Sequence, residues 1–193
     1  MAASPYFTDG QPLTEEEIRA GTVGELRPHD APIDLVEYDP RWPDMFGLEE
    51  RRIREALGDR VLRLEHIGST SVPGLAAKPI IDILLVVADS AEEPAYVPPL
   101  EACGYVLRIR EPDWYQHRCF KGPDTNVNLH VLSEGCPEID RILQFRDRLR
   151  SNEADRTLYE RTKRELGTRR WKYVQNYADA KTAVVEEIIG RAP

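Results

Sequence analysis

Glu65-His66-Ile67-Gly68-Ser69-Thr70-Ser71-Val72-Pro73-Gly74-Leu75-Ala76-Ala77-Lys78-Pro79-Ile80-Ile81-Asp82-Ile83 is the stretch whose reading decides the fold. An apolar segment ends in Gly-Ser, and a loop of small and hydroxyl-bearing residues follows. A second apolar run, Ile80–Val87, then carries a single carboxylate, Asp82. A continuous apolar run of strand length predicts a strand buried on both faces, as in a sheet covered by helices. The loop has two readings. One is a tight connection between neighbouring strands. The other is an anion cradle, in which small residues admit close backbone N–H groups, hydroxyls add donors and Lys78 meets a phosphate charge. Asp82 adds weight to the second, because a buried carboxylate is costly unless it is paired or ligates a cation.

Upstream, Val61–Ile67 reads as the strand that feeds the loop. Asp39-Pro40 suits an N-cap followed by proline at the first helical position. Trp42, Phe46, Ile53 and Leu57 then recur at helical spacing, and Gly58 is placed to end that helix. Ile33–Tyr38 is expected to be a strand. Thr14-Glu15-Glu16-Glu17 fits a capping box opening a short helix toward Leu26, with Gly21 weakening it. Arg27–Pro32 reads as a linker, and residues 1–12 are polar and expected to be mobile. The chain thus divides into an extension, residues 1–32, and one domain, residues 33–193.

Downstream, Pro94, Pro98 and Pro99 break up a helix expected over Glu92–Ala102. Tyr105–Arg110, Trp114–Phe120 and Asn126–Leu132 read as strands, the last two joined by a turn at Lys121-Gly122-Pro123-Asp124-Thr125. After Pro137 the period changes to helical, over Pro137–Arg150, Glu153–Leu166 and Trp171–Ile189. The fold class is α/β (α+β): a small mixed β-sheet flanked by helices, with a helical C-terminal third.

Composition sets outer bounds. The chain has 193 residues with 26 Lys plus Arg against 34 Asp plus Glu, a net charge of −8. That length suits one domain that buries its own core. Binding along duplex nucleic acid needs clustered cations, so the acidic balance argues against that partner. Cys103, Cys119 and Cys136 form no CxxC pair, and an odd, widely spaced set fits a reducing, cytoplasmic setting. The longest apolar runs are far short of a membrane span, and no basic start leads into an apolar stretch, so neither membrane nor signal peptide is expected.

The motifs resemble one known family. Asp39-Pro40-Arg41-Trp42, the run from His66 to Leu75, and Lys78-Pro79-Ile80-Ile81-Asp82-Ile83 are similar to segments of GrpB proteins. Phe120-Lys121-Gly122-Pro123, Leu129-His130-Val131, Phe145-Arg146-Asp147 and Lys181-Thr182-Ala183 extend the resemblance over Ile33–Ile189. It implies a nucleotidyltransferase-like fold. Active members of that superfamily hold NTP phosphates with a Gly-Ser turn. An Asp-x-Asp pair and a third acid hold two magnesium ions, which clamp the attacking and leaving oxygens. Here Gly68-Ser69 match the turn and Asp82 the second acid. Ile80 stands at the first acid, and Asn128 or His130 near the third. The resemblance therefore implies at most one divalent cation, Mg2+ or another, held by Asp82 and His130.

These readings give a working set. Asp82, His66 and His130 are the candidate catalytic residues, with His66 as a base. Gly68, Ser69, Thr70 and Lys78 are expected to hold phosphate, with Arg118, Lys121, Arg146, Lys163 and Lys181 as further anion contacts. The expected partner is a nucleotide or related phosphorylated small molecule, and the expected reaction is transfer of a nucleotidyl or related group. The alternatives are a non-catalytic binding or accessory module, supported by Ile80 and by family members fused to a kinase of coenzyme A synthesis, and a biosynthetic enzyme using another activated donor.

Overall fold

The computed structural model describes residues 12–191. The apolar run becomes strand β2 (Ile81–Val87), flanked by β1 (Arg63–Ile67) and β5 (Val127–Ser133). β4 (His117–Lys121) and β3 (Val106–Glu111) complete a five-stranded sheet in the order β1-β2-β5-β4-β3. β2 runs parallel to β5, and the other pairs are antiparallel.

Alternation along β2 divides its side chains between two cores. Ile81, Ile83, Leu85 and Val87 join Val127, Leu129, Val131 and Phe120 beneath helix α2 (Trp42–Leu57) and helix α3 (Val97–Ala102), which contribute Trp42, Ile53, Leu57 and Leu100. On the opposite face Leu84 and Val86 join Ile67 and Leu132 beneath helix α4 (Pro137–Ser151), through Ile139, Ile142 and Leu143. Helix α5 (Glu153–Gly167) and helix α7 (Thr182–Ile189) pack beside α4, and their apolar stripes close a third cluster on Val72 and Leu75 of the loop. Helix α6 (Val174–Asp179) adds Tyr177 to a fourth cluster with Ile33 and Leu166.

The capping box at Thr14 and Glu17 is present, and helix α1 (Glu15–Gly21) ends at its glycine rather than running to Leu26. The extension then lies along the domain. Val23 N–H donates to Arg108 O at 2.8 Å, Leu13 N–H to Asp179 Oδ2 at 2.9 Å, and Lys172 pairs with Glu15. The start of the chain, through residue 11, lies outside the described residues.

Several expectations are corrected. Ile33–Tyr38 is not a strand and forms only an isolated bridge, Val36 to Ala77. Ile33 and Leu35 instead pack against Leu166 and Tyr177, while Val36 is exposed. Helix α2 starts at Trp42 with Pro43 in its first turn, and Asp39 binds the Arg41 backbone and guanidinium ahead of it. Trp114–Gln116 is a turn, with positive φ at Tyr115 and Gln116, so β4 begins only at His117. The last helical stretch is two helices interrupted at Ala180-Lys181.

Candidate functional site

Six polar or ionisable residues of the sheet collect on one face. Asp82 pairs in register with Asn128 of β5 and with Ile67 of β1, and on β4 Lys121 lies across from Asn128 and Cys119 from His130. Alternation therefore aims Asp82, Asn128, His130, Cys119, Lys121 and His117 to the α4 side of the sheet. On that side Ile67, Leu84, Val86 and Leu132 are the apolar residues beneath α4, and the polar ones lie at the Asp82 end of β2 and along β5 and β4.

Gly68 sets the geometry at the strand end. Its φ is +68°, and a Cβ there would meet Asp82 Oδ2 at 2.3 Å and Asp82 Cβ at 2.8 Å. Only glycine lets the turn lie against the carboxylate. Asn128 Nδ2 donates to Asp82 Oδ1 at 2.7 Å, and Lys121 Nζ donates to Asn128 Oδ1 at 2.6 Å, so Asn128 links the lysine to the carboxylate. His130 Nε2 lies 3.8 Å from the same Oδ1. Burial pushes the Asp82 carboxyl up, but His130, Asn128 and the Lys78 charge outweigh it and hold the group below its usual range. Burial pushes His130 down, and Cys119 and Asp82 outweigh it, raising the imidazole to about 10.

Behind His130 runs a row of buried groups. His117 Nε2 lies 3.0 Å from His130 Nδ1, and His117 Nδ1 lies 2.7 Å from Glu111 Oε2. Burial, with the neighbouring His130 and Arg118 charges, keeps His117 neutral. Glu111 accepts from Nδ1–H of His117, whose Nε2 accepts in turn from His130. That leaves the Nε2–H of His130 facing Asp82.

Four lysines surround this centre. Lys163 is 2% exposed; it donates to Ser69 Oγ at 3.0 Å and to Ala76 O. Lys78 and Lys181 flank the Tyr177 ring, at 5.6 and 4.6 Å from its centroid. Burial, with Lys181 nearby, lowers Lys78 to about 8, and burial alone does the same to Lys181 against the pull of Asp82 and Asp179. Burial drives Lys163 well below its ordinary value. Among the described residues no carboxylate lies within 4 Å of Lys78, Lys121, Lys163 or Lys181. The Tyr177 hydroxyl beside them is buried without a hydrogen-bond partner among the described residues.

A signal for this was present in the sequence and is easily missed. The 26 basic residues comprise 21 arginines and only five lysines, and four of the five converge here. The fifth, Lys172, is the one in an ion pair among the described residues.

Other expected residues lie elsewhere. His66 pairs with Ile83 on the opposite face, stacks on Phe46 at 4.9 Å, and has Nε2 3.1 Å from Thr70 Oγ1. Thr70 is buried and donates to Ile80 O, so both groups tie the loop to the sheet and point away from Asp82. Burial lowers His66 to about 4. Arg118 lies across from Val131 on the far face and is spent on Glu93 and on the carbonyls of Gln116 and His117. Arg146 does line the pocket, but its donors are taken by Asp147, Glu65 and His66 O.

The donors present do not fit a preformed metal centre. Ile80 stands at the first acid that the resemblance implies and Asn128 or His130 near the third, and His130 turns a proton toward Asp82. Among the described residues no three His, Cys, Asp or Glu side chains are grouped to hold an ion. The positive charge at this site comes from lysine and from the His130 imidazolium.

A cavity of about 90 Å³ opens beside the centre, between Ile67-Gly68-Ser69 and Asp82 on the sheet side and Ile142, Phe145, Arg146, Leu149, Tyr159, Ala178, Lys181 and Val185 on the helices.

The family model described as GrpB protein matches residues 32–191, which take in the whole sheet and every residue of this centre. The chain belongs to the GrpB family. A UPF0157 protein of Halalkalibacterium halodurans is 62% identical over 185 residues, 96% of this chain and 95% of the relative. The crystal structure of the conserved protein GrpB from Enterococcus faecalis superposes with a TM-score of 0.72 at 32% identity, covering 82% of this chain and 96% of that one. A dephospho-CoA kinase of Mycolicibacterium paratuberculosis is 31% identical over 165 residues, 72% of this chain but only 40% of the kinase. No helix among the described residues of this GrpB protein is long and apolar enough to cross a membrane.

Proposed function

We propose that this GrpB protein binds a nucleotide or a related phosphorylated compound at the Gly68-Ser69 turn and transfers a nucleotidyl or related group from it. The observation that carries this reading is the set of four lysines around Asp82 and Ser69, unpaired with carboxylates among the described residues. Lys163 is buried, Lys78 and Lys181 are half-buried and Lys121 is exposed; withdrawing the first three from water without counter-ions is costly, and a polyanionic ligand offsets that cost. In phosphoryl chemistry, catalysis is mostly positioning plus neutralisation of charge on the leaving oxygens. Lys78, Lys121 and Lys181 are the groups that would neutralise it. Ser69, held by Lys163, would orient the phosphate. Asp82, braced by Asn128 and His130, would orient the acceptor.

The test is calorimetry with ATP, CTP, GTP, UTP and pyrophosphate, each with magnesium and with EDTA, followed by mass spectrometry of the products. Binding that persists in EDTA and falls at least tenfold in Lys181→Ala supports the reading. No binding of any phosphorylated compound, or equal binding by Lys78→Ala and Lys181→Ala, refutes it. The second reading is a non-catalytic accessory module. It is favoured by Ile80 at the first acid and by the match to a part of a dephospho-CoA kinase. Binding without any product identifies it.

A further inference from the structure

The cavity beside Asp82 has two chemically different walls. The sheet side and Lys181 bring hydroxyl, carboxylate and ammonium. Helices α4 and α7 bring Ile142, Phe145, Leu149 and Val185. A bare phosphate would use the first wall and leave the second uncovered. A sugar would fare worse, because its several hydroxyls need partners and the helical wall offers few: Arg146 has most of its donors committed to Asp147, Glu65 and a backbone carbonyl, and the Tyr159 hydroxyl is engaged with Ser69. An aromatic ring is too large: the volume is about 90 Å³, whereas a cavity that takes up benzene measures about 150 Å³.

We propose that this pouch takes a short aliphatic group, of about three to five carbons, attached to the anionic head held by the lysines. The inference rests on the anion-binding reading above and names the part of the ligand next to the phosphate. The open polar side of the site, at Lys78 and Lys121, is left for the remainder of the ligand. The pouch thus acts as a specificity filter: it rewards a small apolar substituent and rejects both polar and bulky ones.

Isothermal titration with inorganic phosphate, isobutyl phosphate and phenyl phosphate separates the two ideas. Each buried methylene is worth about fourfold in affinity, so isobutyl phosphate should bind roughly 30-fold tighter than inorganic phosphate once chain ordering is subtracted. Phenyl phosphate should show no such gain. Val185→Leu, which adds volume inside the pouch, should cut the isobutyl advantage below about threefold and leave inorganic phosphate binding unchanged. Leu149→Ala, which widens it, should give phenyl phosphate the advantage that the wild type denies it, with thermal melting confirming that each variant is folded. If inorganic phosphate binds but isobutyl phosphate binds no tighter, the pouch inference fails while the anion site stands. If neither binds, both fail. An isobutyl advantage unchanged in Val185→Leu and Leu149→Ala also overturns the assignment.

Discussion

Replacing Gly68 by alanine tests the closest contact in the site. Two costs add. The backbone at φ +68° is left-handed, which costs an L-residue about 1–2 kcal/mol. The new methyl would also lie 2.3 Å from Asp82 Oδ2, 2.8 Å from its Cβ and 2.9 Å from its Cγ. Asp82 cannot swing away freely, because Asn128 holds its Oδ1 and the strand is paired on both sides. Overpacking of this kind costs about 1–3 kcal/mol. Gly74 supplies the control: its φ is +77°, yet a Cβ there meets nothing within 4 Å. Gly74→Ala should therefore carry the backbone cost alone. At about 3 °C per kcal/mol for a chain of this size, Gly74→Ala should lower Tm by about 3–6 °C and Gly68→Ala by about 6–15 °C. Scanning calorimetry of both variants reads the difference directly. Combining Gly68→Ala with Asp82→Ala removes the Oδ2 and Cγ contacts and should return about 1 kcal/mol in a double-mutant cycle. Equal losses for Gly68→Ala and Gly74→Ala would refute the claim that the turn lies against the carboxylate.

Three further outcomes follow from the same geometry. His66 faces α2 rather than the lysines, so His66→Gln should leave pyrophosphate affinity unchanged in titration. It should also remove one acid sensitivity: folding keeps His66 neutral down to about 4, so His66 costs the wild type stability as pH falls from 6.5, and the variant should lose less stability over that range. Glu138, buried in the first turn of α4 with Oε1 unpartnered among the described residues, is pushed up to about 7 by burial. Because the folded form binds the proton more tightly, stability falls as pH rises from 4.5 to 7; Glu138→Gln should gain about 1–3 kcal/mol relative to wild type between pH 5 and pH 8 in urea melts, and a constant difference would refute it. Leu85, fully buried between α2 and the sheet, should cost about 2–5 kcal/mol on truncation to alanine, read as a lower urea midpoint at unchanged slope.

The parts of this fold that were legible in the sequence are those whose burial is local. Ile81–Val87 is covered on both faces, so its apolar run is unbroken and reads as a central strand. The α4 and α5 helices carry one apolar stripe each, so their period shows. What failed was decided by distant partners. Ile33 and Leu35 alternate like a strand, but α5 and α6 claim them as separate packing residues, and no neighbouring strand pairs with them. Sidedness failed for the same reason. His66 and Arg118 sit beside site residues in the chain, yet each is one position out of phase with the polar face. That phase is fixed by pairing Ile67 with Asp82 and Cys119 with His130, which lie 15 and 11 residues apart in sequence. Local patterning does not reveal such a register.

The lysines resolve the tension between an acidic chain and an anion pocket. Arginine forms bidentate, surface-tolerant pairs with carboxylates, and this chain uses it for nearly all of its ion pairs, from Arg41–Asp39 to Arg191–Glu187. A pocket floor needs something else: a compact point charge on a thin stem, able to lie over Tyr177 or Tyr159 and to give up part of its proton affinity when empty. An arginine there would carry its charge through every state and would fill the pouch with its own planar head. By this logic the net charge of −8 says little about ligand preference. Among the described residues most arginines pair with acids over the surface, whereas four of the five lysines do not and gather where Gly68, Ser69 and Asp82 meet.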